Sequence, residues 1–199
     1  MDTFATIIRL LGALNASLLR AGRGVGWVML LAMVLIILAQ VFWRYQLNNA
    51  LPWAEEAARA LMIWMMALVA PTAYRRAGFV AIDLVPDMLP MRSRAVLTLA
   101  ILGLSLAALV VLAGHAWTHF SSPILFNSSG LNRLLQDTGI NRALGTAIEF
   151  RTSYIYLAMS VGVWLLILVN VELMLRQIAT ILGVSAGEAP PEAEPVVAE

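Results

Sequence analysis

Four long apolar runs dominate this sequence and leave room for little else. They cover residues 25–43, 57–74, 95–118 and 152–175. The hydrocarbon core of a bilayer is about 30 Å thick, so a helix needs about 20 predominantly apolar residues to cross it. Each run approaches that length, and 61% of the chain is hydrophobic. The sequence therefore predicts an all-α membrane protein with four transmembrane helices.

The remaining composition excludes several classes of function. The four spans and their connections use nearly all of the 199 residues, so we expect no soluble catalytic domain and no enzymatic activity. Cysteine is absent, which excludes disulfides and cysteine metal sites. The net charge of +1 gives no indication of nucleic-acid binding. We expect a single membrane domain over residues 1–182 and a disordered acidic tail over residues 183–199.

Two further segments have the pattern of short amphipathic interfacial helices. In residues 1–22 apolar side chains recur at helical spacing, which indicates either a helix lying on the membrane surface or a cytoplasmic extension of the first span. The connection 119–151 is unusually long, and its part 131–150 repeats leucine and isoleucine at similar spacing. We predict one or two short helices there, on the outer membrane surface.

The distribution of arginine predicts the orientation. Connections rich in arginine remain in the cytoplasm. The connection 46–56 contains no arginine, whereas the next connection contains Arg75, Arg76, Arg92 and Arg94. Both termini should therefore be cytoplasmic.

The sharpest polar cluster lies where the second span begins, and we call its four residues the entry cluster: Trp53, Glu55, Glu56 and Arg59. Both glutamates share a helix face with Arg59, at spacings of four and three. Arg59 lies about 9 Å inward of Trp53. Its charge therefore needs either a counter-ion or a side-chain conformation that extends it back to the interface. Three interpretations remain open: a local ion pair, a docking site for a partner subunit, and part of a proton relay.

His115 and His119 are the only histidines, one helical turn apart near the end of the third span. Such a pair can bind zinc or haem, with Asp137 and Glu149 as further possible ligands, or it can be an interfacial polar pair. We predict neither a metal nor a cofactor, because no further histidine and no cysteine is available.

Few polar residues lie inside the spans. Gln40, Thr72 and Asn170 are expected to make hydrogen bonds between helices. No carboxylate lies at the middle of a span, although coupled carriers usually have an ionisable or ion-coordinating site there. This argues against a self-sufficient exporter.

The sequence resembles a known family at several points along the first three spans. The second span begins Trp53-Ala54-Glu55-Glu56-x-x-Arg59 and ends Tyr74-Arg75-Arg76-Ala77-Gly78, followed by Ile82-Asp83 and Leu89-Pro90. These stretches resemble the small, DctQ-like membrane subunit of TRAP (tripartite ATP-independent periplasmic) transporters. The resemblance covers residues 25–118. Two departures are Phe79, where the family often has histidine, and the longer connection 119–151.

The resemblance implies a non-enzymatic transport subunit in the bacterial inner membrane. In this family a large membrane subunit carries sodium ions and an organic acid, and a soluble periplasmic binding protein delivers the acid. The small subunit braces the large one, and a role in receiving the binding protein is a further implication. The expected partners are these two proteins and membrane lipids. The alternative is a membrane redox subunit that holds haem through His115 and His119.

Overall fold

The computed structural model describes residues 2–49, 51–77, 91–121, 130, 132–133 and 153–182. Four helices make up nearly all of it, and the described residues include no strand. The helices are α1 (Asp2–Gln46), α2 (Pro52–Ala77), α3 (Met91–Ser121) and α4 (Ser153–Ile181). Each is long and apolar enough to cross a membrane. The structure thus confirms the predicted all-α fold with four helices of transmembrane length.

Helices α1, α2 and α4 all contact one another, and α3 packs on the outside of this group. Helix α4 contacts all three others, and α2 also packs on α1. In the described ranges, α3 touches α4 but neither α1 nor α2. Helix α4 is accordingly the central element, and α1 and α3 leave large apolar surfaces exposed.

Helix α1 has 45 residues and is about 68 Å long, more than twice the thickness of a bilayer core. It joins the amphipathic segment 1–22 and the first predicted span into one helix. Of the two interpretations of that segment, the structure thus shows a helical extension of the span. Helix α1 buries one stripe of residues, which recur at alternating spacings of four and three. They are Ile8, Gly12, Asn15, Leu19, Gly22 and Gly26.

A short turn reverses the chain between α1 and α2. The carbonyl of Trp43 accepts hydrogen bonds from the amides of Leu47 and Asn49, both at 3.2 Å. Asn48 between them has a positive φ of 48°, a conformation that asparagine adopts more readily than most residues. Pro52 then begins α2, where its missing N–H costs no hydrogen bond.

Helices α2 and α4 approach closely at a glycine. A Cβ on Gly162 would lie 3.0 Å from both Cα and Cβ of Ala67. Four residues beyond Ala67 is the buried Pro71, which has no N–H to donate to the Ala67 carbonyl. This close contact between the two helices therefore coincides with the point where α2 lacks one of its own hydrogen bonds.

Two predictions fall mainly on residues outside the described ranges. Residues 132 and 133 of the segment 131–150 are helical, and the rest of that segment lies outside. The predicted disordered tail over 183–199 also lies outside the described residues. Both stay predictions.

Candidate functional site

Two polar clusters lie near opposite ends of α2. One is the entry cluster. The other, which we call the Glu172 cluster, consists of Asn15, Arg75, Glu172 and Arg176. Glu56 and Arg75 are separated along α2 by about 28 Å, close to the thickness of the hydrocarbon core. The two clusters are therefore spaced to lie at the two interfaces of one bilayer.

The predicted ion pair of the entry cluster is present. Arg59 Nη2 lies 3.0 Å from Glu55 Oε1, and the two residues are four positions apart in the helix. The two side chains are 61% and 74% exposed, respectively. An ion pair that is so accessible to its surroundings adds little to stability in water. Its charges remain available to a partner.

Glu56 makes a different contact. Its Oε2 accepts a hydrogen bond of 3.1 Å from the amide of Gly130, in the long connection between α3 and α4. A Cβ on Gly130 would lie 2.9 Å from the Pro52 carbonyl oxygen and 3.0 Å from the Glu56 carboxylate. Gly130 thus lies directly against the first turns of α2.

The Glu172 cluster is the main buried polar arrangement of the described residues. The Glu172 side chain is only 1% exposed. Its Oε1 accepts hydrogen bonds from Arg75 Nη2 at 2.6 Å and from Arg176 Nε at 3.0 Å. Its Oε2 accepts one from Asn15 Nδ2 at 2.8 Å. One carboxylate therefore joins α1, α2 and α4.

Two contacts to main-chain carbonyls complete this junction. Arg75 Nη2 also donates to the Gly12 carbonyl at 3.2 Å, and Asn15 Nδ2 donates to the Leu168 carbonyl at 3.3 Å. The Arg176 guanidinium lies so close to α1 that a Cβ on Gly12 would be 2.7 Å from its Nη2. Glycine at position 12 is what allows this approach.

A buried carboxylate is costly unless it is paired and hydrogen-bonded. Glu172 has two arginine partners and an amide, so the cost of its burial is offset. Removal of one partner from a buried pair typically costs about 3–5 kcal/mol, because an uncompensated charge remains. The cluster consequently holds the N-terminal half of α1 in a fixed position against α2 and α4.

The sequence reasoning did not identify this cluster. Arg75 entered only through the orientation and the family resemblance. Glu172 and Arg176 lie near the end of the fourth predicted span, and no role was predicted for either. The available signal was the spacing of four between Glu172 and Arg176. A four-span topology also places the ends of the second and fourth spans on the same side as the N-terminal segment.

The polar residues inside the spans differ in their partners. Asn170 Nδ2 donates a hydrogen bond of 2.7 Å to the Tyr74 hydroxyl, which confirms the predicted bond between helices. The Thr72 hydroxyl is buried and has no partner among the described residues. Gln40 is half-buried.

The two histidines do not converge on a common site. His115 Nδ1 lies 2.9 Å from the Val111 carbonyl of its own helix. The His119 ring stacks on Tyr156 of α4, with 6.0 Å between ring centroids. Within the described ranges no three histidine, cysteine, aspartate or glutamate side chains form a possible metal site. Asp137 and Glu149 lie outside those ranges.

Comparison with known proteins supports the resemblance and extends it to the fourth span. Residues 33–180 match the family described as tripartite ATP-independent periplasmic transporters, DctQ component. No curated protein matches the chain. The match includes the entry cluster and, of the Glu172 cluster, Arg75, Glu172 and Arg176. This is a family of transporter components, not of enzymes, as predicted. The chain belongs to the DctQ family and is a small membrane subunit of a TRAP transporter.

Proposed function

We propose that this subunit braces the large membrane subunit of a sodium-coupled TRAP transporter that takes up an organic acid across the bacterial inner membrane. The observation that carries the proposal is where the charges lie. In the described ranges, residues 60–74 of α2, 95–114 of α3 and 153–171 of α4 contain no acidic or basic side chain. Coupled carriers usually place ion-coordinating groups at that depth, so the transport site belongs to the partner.

Exposed apolar surfaces support the bracing role. In the C-terminal half of α1, Trp27, Val28 and Leu31 are all more than 60% exposed. Helix α3 has a neighbour only on the side of α4 among the described helices, and Leu104 is 75% exposed. Such surfaces must meet lipid or the helices of another subunit. The exposed apolar faces of α1 and α3 offer the large subunit an extended surface.

The orientation with both termini in the cytoplasm is part of the proposal. Arg75, Arg76 and Arg176 all lie near the C-terminal ends of α2 and α4, at the same end of the subunit as the Glu172 cluster. Arginine near the ends of spans favours the cytoplasmic side. The Glu172 cluster is then cytoplasmic, and the entry cluster is periplasmic.

This orientation brings the entry cluster to the side of the binding protein. Glu55 and Arg59 present opposite charges on an exposed helix face. Gly130 of the long connection donates a hydrogen bond to the neighbouring Glu56. Complementary exposed charges promote the encounter of protein partners. We propose that the entry cluster and the connection 119–151 contribute to the surfaces that meet the large subunit and the binding protein.

Reconstitution in liposomes tests the proposed function. The subunit, the large subunit and the binding protein together should take up an organic acid when a sodium gradient is imposed. Each preparation lacking one component should be inactive, because the proposed transport site, brace and substrate delivery belong to different proteins. Uptake by this subunit alone would contradict the bracing role. Uptake by the full set that is unchanged without a sodium gradient would contradict sodium coupling.

A further inference from the structure

The Glu172 cluster contains more positive than negative charge. Both Arg75 and Arg176 form ion pairs with the single carboxylate of Glu172, at 2.6 and 2.9 Å. The other oxygen of that carboxylate contacts the neutral amide of Asn15. Among the side chains that the structure describes, the other acids are Glu55 and Glu56, near the opposite end of α2. Within the described part of the chain, one positive charge of the cluster therefore has no counter-ion.

The surroundings add to this excess. Arg76 follows Arg75 and is exposed, and Arg9 is exposed on the turn of α1 before Gly12. The Arg75 side chain is only 8% exposed, and its Nε has no hydrogen-bond acceptor among the described residues. A buried cation is costly in a medium of low dielectric constant unless an anion lies nearby. The arrangement thus favours the binding of an anion.

The site is partly accessible. Arg176 is the most accessible member of the cluster, with 21% of its side chain exposed. Its guanidinium lies against Gly12 of α1. Arg176 is five residues from the end of α4, at the distance from the entry cluster where lipid headgroups lie.

We propose that Arg176, supported by Arg75, binds the phosphate group of an anionic phospholipid. The guanidinium group matches the geometry of phosphate oxygens, and basic sites near helix ends attract anionic headgroups. The acyl chains would run from there towards the middle of the bilayer, along the apolar spans of the helices. The site goes beyond the transport role and does not depend on which leaflet the cluster faces. Free phosphate shares the same chemistry, so the test must separate the two.

Native mass spectrometry of the full-length protein with added lipid provides this test. We expect the unaltered protein to bind phosphatidylglycerol more tightly than phosphatidylcholine with the same acyl chains. Arg176→Gln should weaken phosphatidylglycerol binding about fivefold, which is the effect of one arginine near a membrane surface. The matched control is Arg44→Gln, which removes an exposed arginine at the far end of α1 and should leave binding within about twofold.

Several results would overturn the proposal. They are equal affinity of the unaltered protein for the two lipids, or an equal loss in Arg44→Gln and Arg176→Gln. Displacement of phosphatidylglycerol by millimolar inorganic phosphate would assign the site to a water-soluble anion instead of a lipid. If Arg176→Gln does not fold, Arg176→Lys keeps the charge and should retain the preference for phosphatidylglycerol. Loss of that preference in folded Arg176→Lys would contradict a site based on charge.

Discussion

Arg75 and Glu172 are 97 residues apart in the sequence, yet Arg75 Nη2 lies 2.6 Å from Glu172 Oε1. The two side chains are 8% and 1% exposed. The contact joins the end of α2 to α4, and Asn15 brings α1 to the same carboxylate. At this end of the subunit Arg75 and Glu172 therefore face inward, towards each other.

The first prediction concerns the carboxylate of this junction. Glu172→Gln should lower the free energy of unfolding by about 3–5 kcal/mol, because two guanidinium groups would remain together without a negative charge. Glu55→Gln is the control, since it removes a carboxylate from an exposed pair and should have a small effect. Thermal unfolding of the purified proteins in the same detergent measures both. Equal midpoints for the two variants would show that the Glu172 cluster does not stabilise the fold.

The second prediction concerns the close approach at Gly12. Gly12→Ala should destabilise the protein, because the new Cβ would be 2.7 Å from Arg176 Nη2 and would push this guanidinium away from the Glu172 carboxylate that it pairs with. The matched control on the same helix is Gly24→Ala, where no other atom lies within 4 Å. That change should be neutral or stabilising by up to about 1 kcal/mol, since alanine favours helix. Thermal unfolding separates the two, and a stabilising Gly12→Ala would contradict the geometry.

The third prediction tests the packing of α2 on α4. A Cβ at Gly162 meets the backbone of Ala67, so Gly162→Ala must move the two helices apart and should cost about 1–3 kcal/mol. Gly103→Ala on α3 adds the same methyl group where the structure has open space. Thermal unfolding midpoints of the isolated subunit should therefore fall only for Gly162→Ala. A fall of the same size in both variants would mean that the helix, not the packing, responds to the change.

The fourth prediction concerns orientation. The chain contains no cysteine, so single cysteines introduced at Ser185 and Asn48 can be labelled without background. We expect a membrane-impermeant thiol reagent applied to intact spheroplasts to label Asn48→Cys and to label Ser185→Cys only after permeabilisation. The physical reason is the arginine content of the connections. Labelling of both positions from the same side would contradict a four-span topology.

The fifth prediction separates the interpretations of the entry cluster. Arg59→Ala should reduce the amount of large subunit that co-purifies, because it leaves the Glu55 carboxylate, with Glu56 next to it, near an interface without its cation. Arg44→Ala removes an exposed arginine at the end of α1 and serves as the control. Quantitative co-purification from the same membranes measures the effect. Unchanged recovery with Arg59→Ala would leave the Glu55–Arg59 contact as a local ion pair.

The four membrane-length helices and the family could be predicted from the sequence because both depend on local properties. Apolar length determines whether a helix can cross a bilayer, and the family resemblance rests on short stretches such as Trp53 to Arg59. The Glu55–Arg59 ion pair was also predictable, since one helical turn brings its partners together. The hydrogen bond of Asn170 was expected in kind, although its partner Tyr74 was not.

Only the tertiary structure decided which helices meet and which polar groups they enclose. Residues 2–22 and 25–43 are one helix, and its buried stripe includes Gly12 and Asn15 as well as Ile8. Apolar periodicity alone could not indicate this, because in a membrane protein hydrophobic side chains face lipid as readily as they face another helix. Burial of Glu172 depends on Arg75 and Asn15 from two other helices. The sequence determined that the charges lie near the ends of the helices, and packing decided which of them are buried together.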